Sequence, residues 1–246
     1  MYQNKYKTLV NFKTNLNQPR HSWFDVKEGY STVLVNNILS DLKINKNDGY
    51  IMDPFSGSGT TVLASSMLGY KSIGIEVNPF LHHLSKNKCI SYSSNLNVLK
   101  NKFIKCDFKN HNASKVPELS IAKKLFKNQL KEILKIKNWI EKIKDKKSKE
   151  LFFCAFLCSL DKASYAKKDG NGLKYPKNKI PKNFKQVFIK NLEKFLEDIK
   201  STKIKNKPII FLGNNLDVLK QDDFKKKYKN KIALCLFSPP YANCFD

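Results

Sequence analysis

Short apolar runs, separated by longer polar stretches, are the clearest structural signal along the chain. Runs at residues 50–52, 72–76, 208–212 and 231–237 are apolar and are bounded by acidic or turn-forming residues. Runs of this length and composition predict strands. The chain therefore has four predicted strands, two near its start and two near its end.

Helices are predicted around the first two strands. Ser31 is a good N-cap for a helix whose apolar residues follow helical spacing. A second helix follows the first strand and ends at Gly69, and the pair Asn78-Pro79 opens a third. A strand, a tight turn and a helix in this order predict the start of a βαβ unit.

The middle of the chain, residues 110–205, is rich in lysine and mostly follows helical spacing. The run at 151–160 predicts a buried helix, and apolar positions between 184 and 199 predict another. Glycines punctuate the basic segment 161–176, which predicts a loop. We interpret the whole region as a large helical insertion in an α/β core.

Two polar stretches complete the outline. Residues 1–20 predict an irregular arm, and residues 222–229 predict a basic connector. The predicted organisation is an arm at 1–20, the first part of the core at 21–109, the insertion at 110–205 and the last two strands at 206–246.

Charge narrows the possible partners. The chain of 246 residues is 41% hydrophobic, enough for one large domain or a domain with an insertion. It has 46 basic and 21 acidic residues, a net charge of +25, which favours a polyanionic partner. Arg20 is the only arginine, and the abundance of Lys, Asn and Ile is also what an AT-rich coding sequence would produce. The charge thus supports a nucleic-acid partner without proving it.

The cysteines and the N-terminus indicate a reduced, cytoplasmic protein. The six cysteines form no Cys-x-x-Cys pair and have no metal-site spacing with the four histidines, so no metal is expected. Cys154 and Cys158 lie one helical turn apart in an apolar run, as core thiols do. The N-terminus has no apolar signal region, and no apolar stretch is long enough to cross a membrane.

The first predicted strand runs into a glycine-rich turn, Asp53-Pro54-Phe55-Ser56-Gly57-Ser58-Gly59-Thr60. Gly57 and Gly59 allow a ligand to approach the backbone, and free amides at a helix start suit a carboxylate or phosphate. A P-loop would need lysine where Thr60 stands, and a dinucleotide motif would need a small residue where Val62 stands. An S-adenosylmethionine loop, with Asp53 facing a cationic ligand, and a plain tight turn both remain open.

Two further segments separate these alternatives. The strand at 72–76 ends in Glu76, at the spacing of about 20 residues from the loop where an acidic side chain binds ribose hydroxyls. The strand at 231–237 runs into Ser238-Pro239-Pro240-Tyr241. Together, the loop and this tetrapeptide resemble the cofactor and catalytic motifs of the amino-group DNA methyltransferases, which act on cytosine N4 or adenine N6. The serine form of the second motif most resembles the cytosine-N4 branch.

The resemblance implies a Rossmann-like, S-adenosylmethionine-dependent core and gives individual residues a role. Residues 20–31 would close over the methionine end of the cofactor, and an acid or amide after the third strand would approach its adenine. Asn214 is the residue we assign to the adenine, with Asn215 and Asp217 as alternatives. The implied cofactor-binding residues are Asp53, Pro54, Phe55, Gly57, Ser58, Gly59, Thr60, Glu76 and Asn214, and the implied catalytic residues are Ser238, Pro239, Pro240 and Tyr241.

The chemistry of such an enzyme fits the second motif. An exocyclic amine is a weak nucleophile because its lone pair is delocalised into the ring. The Ser238 hydroxyl and the Pro239 carbonyl are placed to accept the amine protons, and Tyr241 offers a face on which a flipped-out base stacks. Most of the rate would come from positioning and electrostatics. A carbon-5 cytosine methylase would need a cysteine after proline, and neither Cys235 nor Cys244 fits.

The resemblance also predicts that parts of the enzyme lie elsewhere. The chain ends five residues after Tyr241 with an incomplete sheet, so we expect either one subunit of a split enzyme or a truncated reading frame, ahead of a compact enzyme that uses the helical insertion as its reader. The expected partners are double-stranded DNA and a second subunit that carries the target-recognition region, in a restriction-modification system. The basic segment 161–176 either contacts DNA phosphates or is a solvated connection. The rival is a decayed, non-catalytic nucleic-acid-binding module.

Overall fold

The computed structural model describes residues 6–26, 29–109, 111–116, 121–169 and 172–239. The chain divides into two compact units. We call the unit formed by residues 1–91 and 198–240 the core unit, and the unit formed by residues 92–197 the helical unit. The domain boundaries expected from the sequence remain predictions.

The elements of the described residues alternate between strand and helix at both ends of the chain and are mainly helical between them. In chain order they are α1 (Thr32–Asp41), β1 (Tyr50–Asp53), α2 (Thr60–Leu68), β2 (Lys71–Glu76), α3 (Pro79–Lys88), α4 (Ser94–Ile104), α5 (Ala122–Phe126), α6 (Leu130–Glu141), α7 (Lys146–Ala163), β3 (Lys167–Asp169), β4 (Gly172–Lys174), α8 (Phe184–Ser201), β5 (Ile209–Leu212), α9 (Asn215–Lys220), α10 (Asp222–Tyr228) and β6 (Ile232–Cys235).

Four parallel strands form the sheet of the core unit, in the order β5-β2-β1-β6. β5 and β6 lie within runs predicted as strands, and β1 and β2 each extend one residue beyond theirs. Since neighbouring strands are parallel, their carboxyl ends meet at one edge of the sheet. The predicted α/β, Rossmann-like class is confirmed.

Alternate residues of β1 face opposite sides of the sheet, and each side is covered by helices. Ile51 is fully buried with Val35 and Leu39 of α1 and with Ala64 of α2. On the other side, Met52 packs in a cluster with residues of β2, α9 and α10. The remaining buried members of that cluster are Ile73, Ile75, Val218, Phe224 and Tyr228.

Two stretches expected to be irregular have regular structure. The basic connector predicted at 222–229 is mostly helix α10, in which Phe224 and Tyr228 are buried. These two aromatic residues are four positions apart, so they lie on one face of the helix and cover the sheet. The basic segment at 161–176 was expected to be a loop, but it contains the antiparallel hairpin β3–β4. The hairpin forms because pairing between the two strands satisfies backbone polar groups that a loop would leave to water.

The described part of the N-terminal segment, residues 6–20, belongs to the core unit and contributes side chains to its interior. Phe12 is 4% exposed and Asn15 is fully buried. The Asn15 amide donates to the carbonyl of Tyr30 and accepts from the amide of Thr32, at 2.9 and 2.8 Å. The segment therefore fixes the backbone that enters α1.

Arg20 holds the ends of two helices together. Its guanidinium is buried and donates to the carbonyls of Lys88 and Ile90 beyond α3, each at 2.7 Å. It also donates to the carbonyls of Ile199 and Thr202 at the end of α8, each at 3.2 Å. Helix C-termini leave carbonyls without helical partners, and a planar cation with five donors satisfies several at once.

The helical unit is built around aromatic side chains. Phe103 of α4 is fully buried, and its ring contacts those of Phe108, Trp139 and Phe188 at centroid distances of 5.3, 5.2 and 4.7 Å. The predicted helices at 151–160 and 184–199 are present as α7 and α8. Among the described residues no helix is long and apolar enough to cross a membrane.

Candidate functional site

The carboxyl edge of the sheet brings several of the predicted site residues together. Asp53 ends β1 and Glu76 ends the adjacent strand β2. On the other side of β1, β6 leads into Ser238 and Pro239, which are the described part of the second motif. Pro240 and Tyr241 lie outside the described residues. Two acids and the start of the predicted catalytic motif therefore share one edge.

The glycine loop between β1 and α2 turns tightly against β2. Gly57 and Gly59 have φ angles of +50° and +85°, in the left-handed region that favours glycine. A Cβ on Gly59 would lie 2.2 Å from Ser85 Oγ, whereas a Cβ on Gly57 would have no neighbour closer than 3.9 Å. Gly59 is therefore required by packing as well as by conformation, and Gly57 leaves room beside the backbone.

Neighbouring residues of the loop are largely enclosed. Pro54, Ser56, Ser58 and Thr60 are buried, and Phe55 is half-buried. The Ser56 amide donates to the carbonyl of Ile75 at 2.9 Å, which ties the loop to β2. Among the described residues, the hydroxyls of Ser56 and Ser85 are buried without a hydrogen-bond partner.

Asp53 is the most perturbed carboxylate of this edge. It is 2% exposed, and burial raises its pKa to about 6, with the charge of Glu76 adding to the rise. Hydrogen bonds from the Phe55 amide and the Tyr30 hydroxyl, at 3.0 and 2.9 Å, lower the pKa because they stabilise the charged carboxylate. Asp53 is thus a buried anion close to its titration point, and a cationic partner would favour its charged form.

Tyr30 connects the two motifs. Its hydroxyl donates to Asp53 and also forms a hydrogen bond with Thr61 at the start of α2. The Thr61 hydroxyl lies 3.4 Å from the carbonyl of Leu236, two residues before Ser238. Burial raises the pKa of Tyr30 above its ordinary value, and the charge of Asp53 adds to this. Tyr30 therefore remains a neutral donor toward Asp53 at physiological pH.

Glu76 holds the loop through its carboxylate. One oxygen accepts from the Gly57 amide at 2.6 Å and the other accepts from the Asn78 amide at 2.8 Å. The side chain is 8% exposed. A carboxylate in this position fixes the loop and still presents lone pairs toward the strand edge, since each oxygen has more than one acceptor site.

A buried lysine supports the loop from the far end of α3. Lys88 is fully buried, and its ammonium donates to the carbonyl of Ser58 at 3.0 Å. Its charge contributes to the low pKa of His21, about 3, whose main cause is burial of the imidazole. His21 is therefore neutral, and Lys88 fixes the backbone carbonyl of Ser58 behind the glycine loop.

The strand end before the second motif is fixed against the first motif. The Leu236 amide donates to the carbonyl of Met52 at 2.9 Å. The rings of Phe55 and Phe237 lie 5.6 Å apart between centroids. Ser238 and Pro239 thus follow a segment that contacts the glycine loop directly.

Asn214 lies at the same edge, after β5. The amide of Gly213 donates to the carbonyl of Glu76 at 3.0 Å, which places Asn214 next to the end of β2. The Asn214 side-chain oxygen accepts from the Leu216 amide at 2.9 Å and caps α9. Its predicted approach to the cofactor adenine remains a prediction.

Tyr30 and Lys88 are the residues that sequence reasoning missed. Tyr30 directly precedes the N-cap Ser31 in the segment expected to close over a ligand. Its position in that segment was the sequence feature that could have indicated a contact with Asp53. Trp23 of the same segment is 4% exposed and donates to Asp198 at 2.8 Å, so it packs in the core. Lys88 gave no signal, because a lysine in a polar helix ordinarily faces water.

The described residues contain no group of three or more His, Cys, Asp or Glu side chains able to hold a metal ion.

The sequence of the chain is similar to a family of DNA methylases and to curated methyltransferases. A family model described as DNA methylase, of the N6/N4 type, matches residues 31–87, which include the Ser31 helix cap, the glycine loop and Glu76. The type II methyltransferase M.BsoBI of Geobacillus stearothermophilus is 31% identical over 272 residues, covering 98% of this chain and 53% of that protein.

A second type II methyltransferase, M.AvaI, is also similar. The proteins of that name from Nostoc sp. and from Anabaena variabilis are each 23% identical over 292 residues, covering 100% of this chain and 55% of the relative. The chain thus spans about half the length of the curated relatives it matches. No solved structure matches the chain significantly.

Proposed function

Because the chain belongs to the N6/N4 family of DNA methylases, we propose that it is an S-adenosylmethionine-dependent DNA methyltransferase or the cofactor-binding and catalytic part of one. The observation that carries the proposal is the pairing of β1 with β6. It places the buried Asp53 and the start of the Ser238 motif on adjacent strands at one sheet edge.

The residues at this edge fit the cofactor. Its sulfonium and the α-ammonium group of its methionine part carry positive charge, which a buried carboxylate such as Asp53 would stabilise. Gly57 leaves open space beside the loop backbone, and the buried Ser56 hydroxyl has no partner among the described residues. Glu76 and Asn214 would take the ribose and adenine ends, with Pro54, Phe55, Ser58, Gly59 and Thr60 shaping the loop.

When bound, the cofactor supplies an electrophilic methyl group. The protein's own task is to orient the target amine and to accept its protons. We assign acceptance of the amine protons to the Ser238 hydroxyl and the Pro239 carbonyl, and stacking of the extruded base to Tyr241. Pro240 stiffens the turn and removes a competing amide. The Tyr30–Thr61 link to Leu236 holds this strand end beside Asp53.

We assign cytosine N4 as the acceptor because of the serine in Ser238-Pro239-Pro240-Tyr241, and adenine N6 is the alternative. The substrate would be double-stranded DNA of a specific sequence, in a restriction-modification system as the type II names of the relatives suggest. A second methyltransferase subunit that carries the target-recognition region is the proposed protein partner, and the chain itself corresponds to about half of each relative. A basic DNA-binding module without cofactor affinity is the rival function.

The deciding experiment is calorimetric titration of the chain with S-adenosylmethionine. We expect Asp53→Ala to weaken binding at least about 100-fold, because an uncompensated cation in a buried site loses several kcal/mol. Asp48→Ala is the matched control, because Asp48 is an exposed acid in the turn before β1. Equal affinity in wild type and Asp53→Ala would refute the loop assignment, and no affinity in wild type would favour the rival.

Ser238→Ala separates binding from chemistry. We expect it to keep cofactor affinity and, in a mixture with the second subunit, to lower methyl transfer by about 10²–10³, the usual effect of removing one preorganised polar group. Transfer at the wild-type rate would remove Ser238 from the mechanism.

A further inference from the structure

The hairpin β3–β4 in the helical unit has a charge arrangement that does not favour its own folding. Its register places Lys167 directly opposite Lys174, and like charges in such a pair are destabilising. Lys174 forms an ion pair with Asp169, but its side chain is still 76% exposed. All three described residues of β4 are exposed, so no apolar face compensates. An isolated two-stranded hairpin is marginal even without this repulsion.

The base of the hairpin is nevertheless held firmly. The Tyr165 amide, just before β3, donates to the carbonyl of Leu125 in α5 at 2.8 Å. The Lys179 ammonium donates to the carbonyl of Ala166, which is 2% exposed. The helical unit therefore holds an exposed, positively charged ribbon in a fixed place.

Two further lysines are held beside the same ribbon by aromatic rings. The Lys124 ammonium lies 4.2 Å from the ring centroid of Tyr175, directly after β4. The Lys127 ammonium lies 4.2 Å from the ring centroid of Tyr165, before β3. Both lysines are exposed, and cation–π contacts restrict where their charges lie without neutralising them.

We define the hairpin face as Lys124, Lys127, Lys167 and Lys174. It belongs to the more basic part of the chain. Residues 92–197 contain 26 lysines and 10 acids, a net charge of +16 out of +25, although they are fewer than half of the residues. Between 161 and 182 there are seven lysines and two acids. Such a density favours a regular polyanion over a single small anion.

We propose that the hairpin face binds the phosphate backbone of double-stranded DNA. A line of phosphates that lies across Lys167 and Lys174 would attract both ammonium groups and offset their mutual repulsion. The register that is unfavourable in the free hairpin would then favour binding. The choice of DNA among polyanions rests on the proposed function. Contacts of this kind position the duplex and do not read its sequence.

The test is fluorescence anisotropy of a labelled duplex titrated with the full chain at several salt concentrations. For the double variant Lys167→Gln/Lys174→Gln, two lost phosphate contacts should reduce the slope of log K against log salt by about 1.8. Affinity near 0.1 M salt should fall roughly tenfold or more. The variant should fold as wild type does, because it removes a like-charge pair.

Lys144→Gln/Lys146→Gln is the charge-matched control, since both lysines are exposed in the same unit, at the start of α7. We expect it to change the slope and affinity much less than the hairpin variant. A hairpin variant with the wild-type slope, or equal losses in the two variants, would overturn the proposal. Tighter binding of duplex RNA through the same lysines would overturn the assignment to DNA.

The outcomes keep this proposal separate from the proposed function. Hairpin-dependent DNA binding without cofactor affinity would support the hairpin face and refute the methyltransferase. If the hairpin variant keeps cofactor binding, methyl transfer and DNA affinity at wild-type levels, the methyltransferase is supported and the hairpin face is refuted as a DNA-binding site.

Discussion

Asp53 shows how hydrogen bonds adjust the pKa of a buried carboxylate. Burial raises the pKa of Asp53 to about 6, and hydrogen bonds from the Phe55 amide and the Tyr30 hydroxyl keep it from rising further. A group whose pKa is raised in the folded state is protonated below that value. The charge needed for a cationic ligand is therefore present above about pH 6 and is lost as pH falls through it.

Removing the Tyr30 hydroxyl should raise the pKa of Asp53. In Tyr30→Phe the carboxylate loses a donor, and we expect the pH at which cofactor affinity is half lost to rise by about one unit. Tyr70→Phe is the control, because its hydroxyl donates to the carbonyl of Ile44 at 3.0 Å and has no contact with Asp53. Calorimetric titration between pH 5 and 8 measures the shift, and identical profiles for all three proteins would contradict it.

At the scale of elements, Arg20 couples α3, which supports the glycine loop through Lys88, to the end of α8. We expect Arg20→Lys to lower the free energy of unfolding by about 3 kcal/mol or more. A lysine has three donors on one nitrogen and cannot replace the planar fork, so buried carbonyls lose their partners. Urea unfolding followed by circular dichroism gives the value.

Lys13→Gln is the control for this change, because Lys13 is exposed in the same N-terminal segment and should alter stability by less than about 0.5 kcal/mol. If Arg20→Lys unfolds at the wild-type urea concentration, the guanidinium is not what joins the two helix ends.

The elements that the sequence predicted correctly are those with a local signal. The strands and helices around Asp53 follow from short apolar runs, an N-cap at Ser31 and glycines at the turns. Helix α10 was missed because lysines obscure the spacing of Phe224 and Tyr228. The hairpin was missed because its pairing is exposed and has no alternating apolar face to mark it.

The positions of the candidate site residues along the fold follow in part from local signals, and the roles of these residues remain predictions. Asp53, Glu76 and the glycines lie in continuous motifs, and the parallel sheet brings their strand ends together. The contact of Tyr30 with Asp53 joins residues 23 positions apart and depends on how the N-terminal segment packs. The buried Lys88 depends on contacts with Ser58, 30 positions away. No local pattern encodes such pairs.

At the scale of the whole molecule, the glycine loop, Glu76 and Ser238 lie in the core unit, whereas most of the positive charge lies in the helical unit. Backbone contacts through lysine give affinity but little sequence discrimination. Specific methylation needs side chains that read base edges. The relatives have about as much further chain as this one, and we propose that a second polypeptide supplies the reader.

If a second polypeptide reads the bases, methyl transfer by this chain should depend on that polypeptide. Transfer of labelled methyl groups to duplex DNA should be at or near background for this chain alone. It should rise by at least about 100-fold when the polypeptide encoded directly downstream is added, since positioning the target base accounts for much of the rate. Ser238→Ala in the same mixture is the control and should abolish the gain. Equal, specific transfer by the chain alone would show that the helical unit itself reads the DNA.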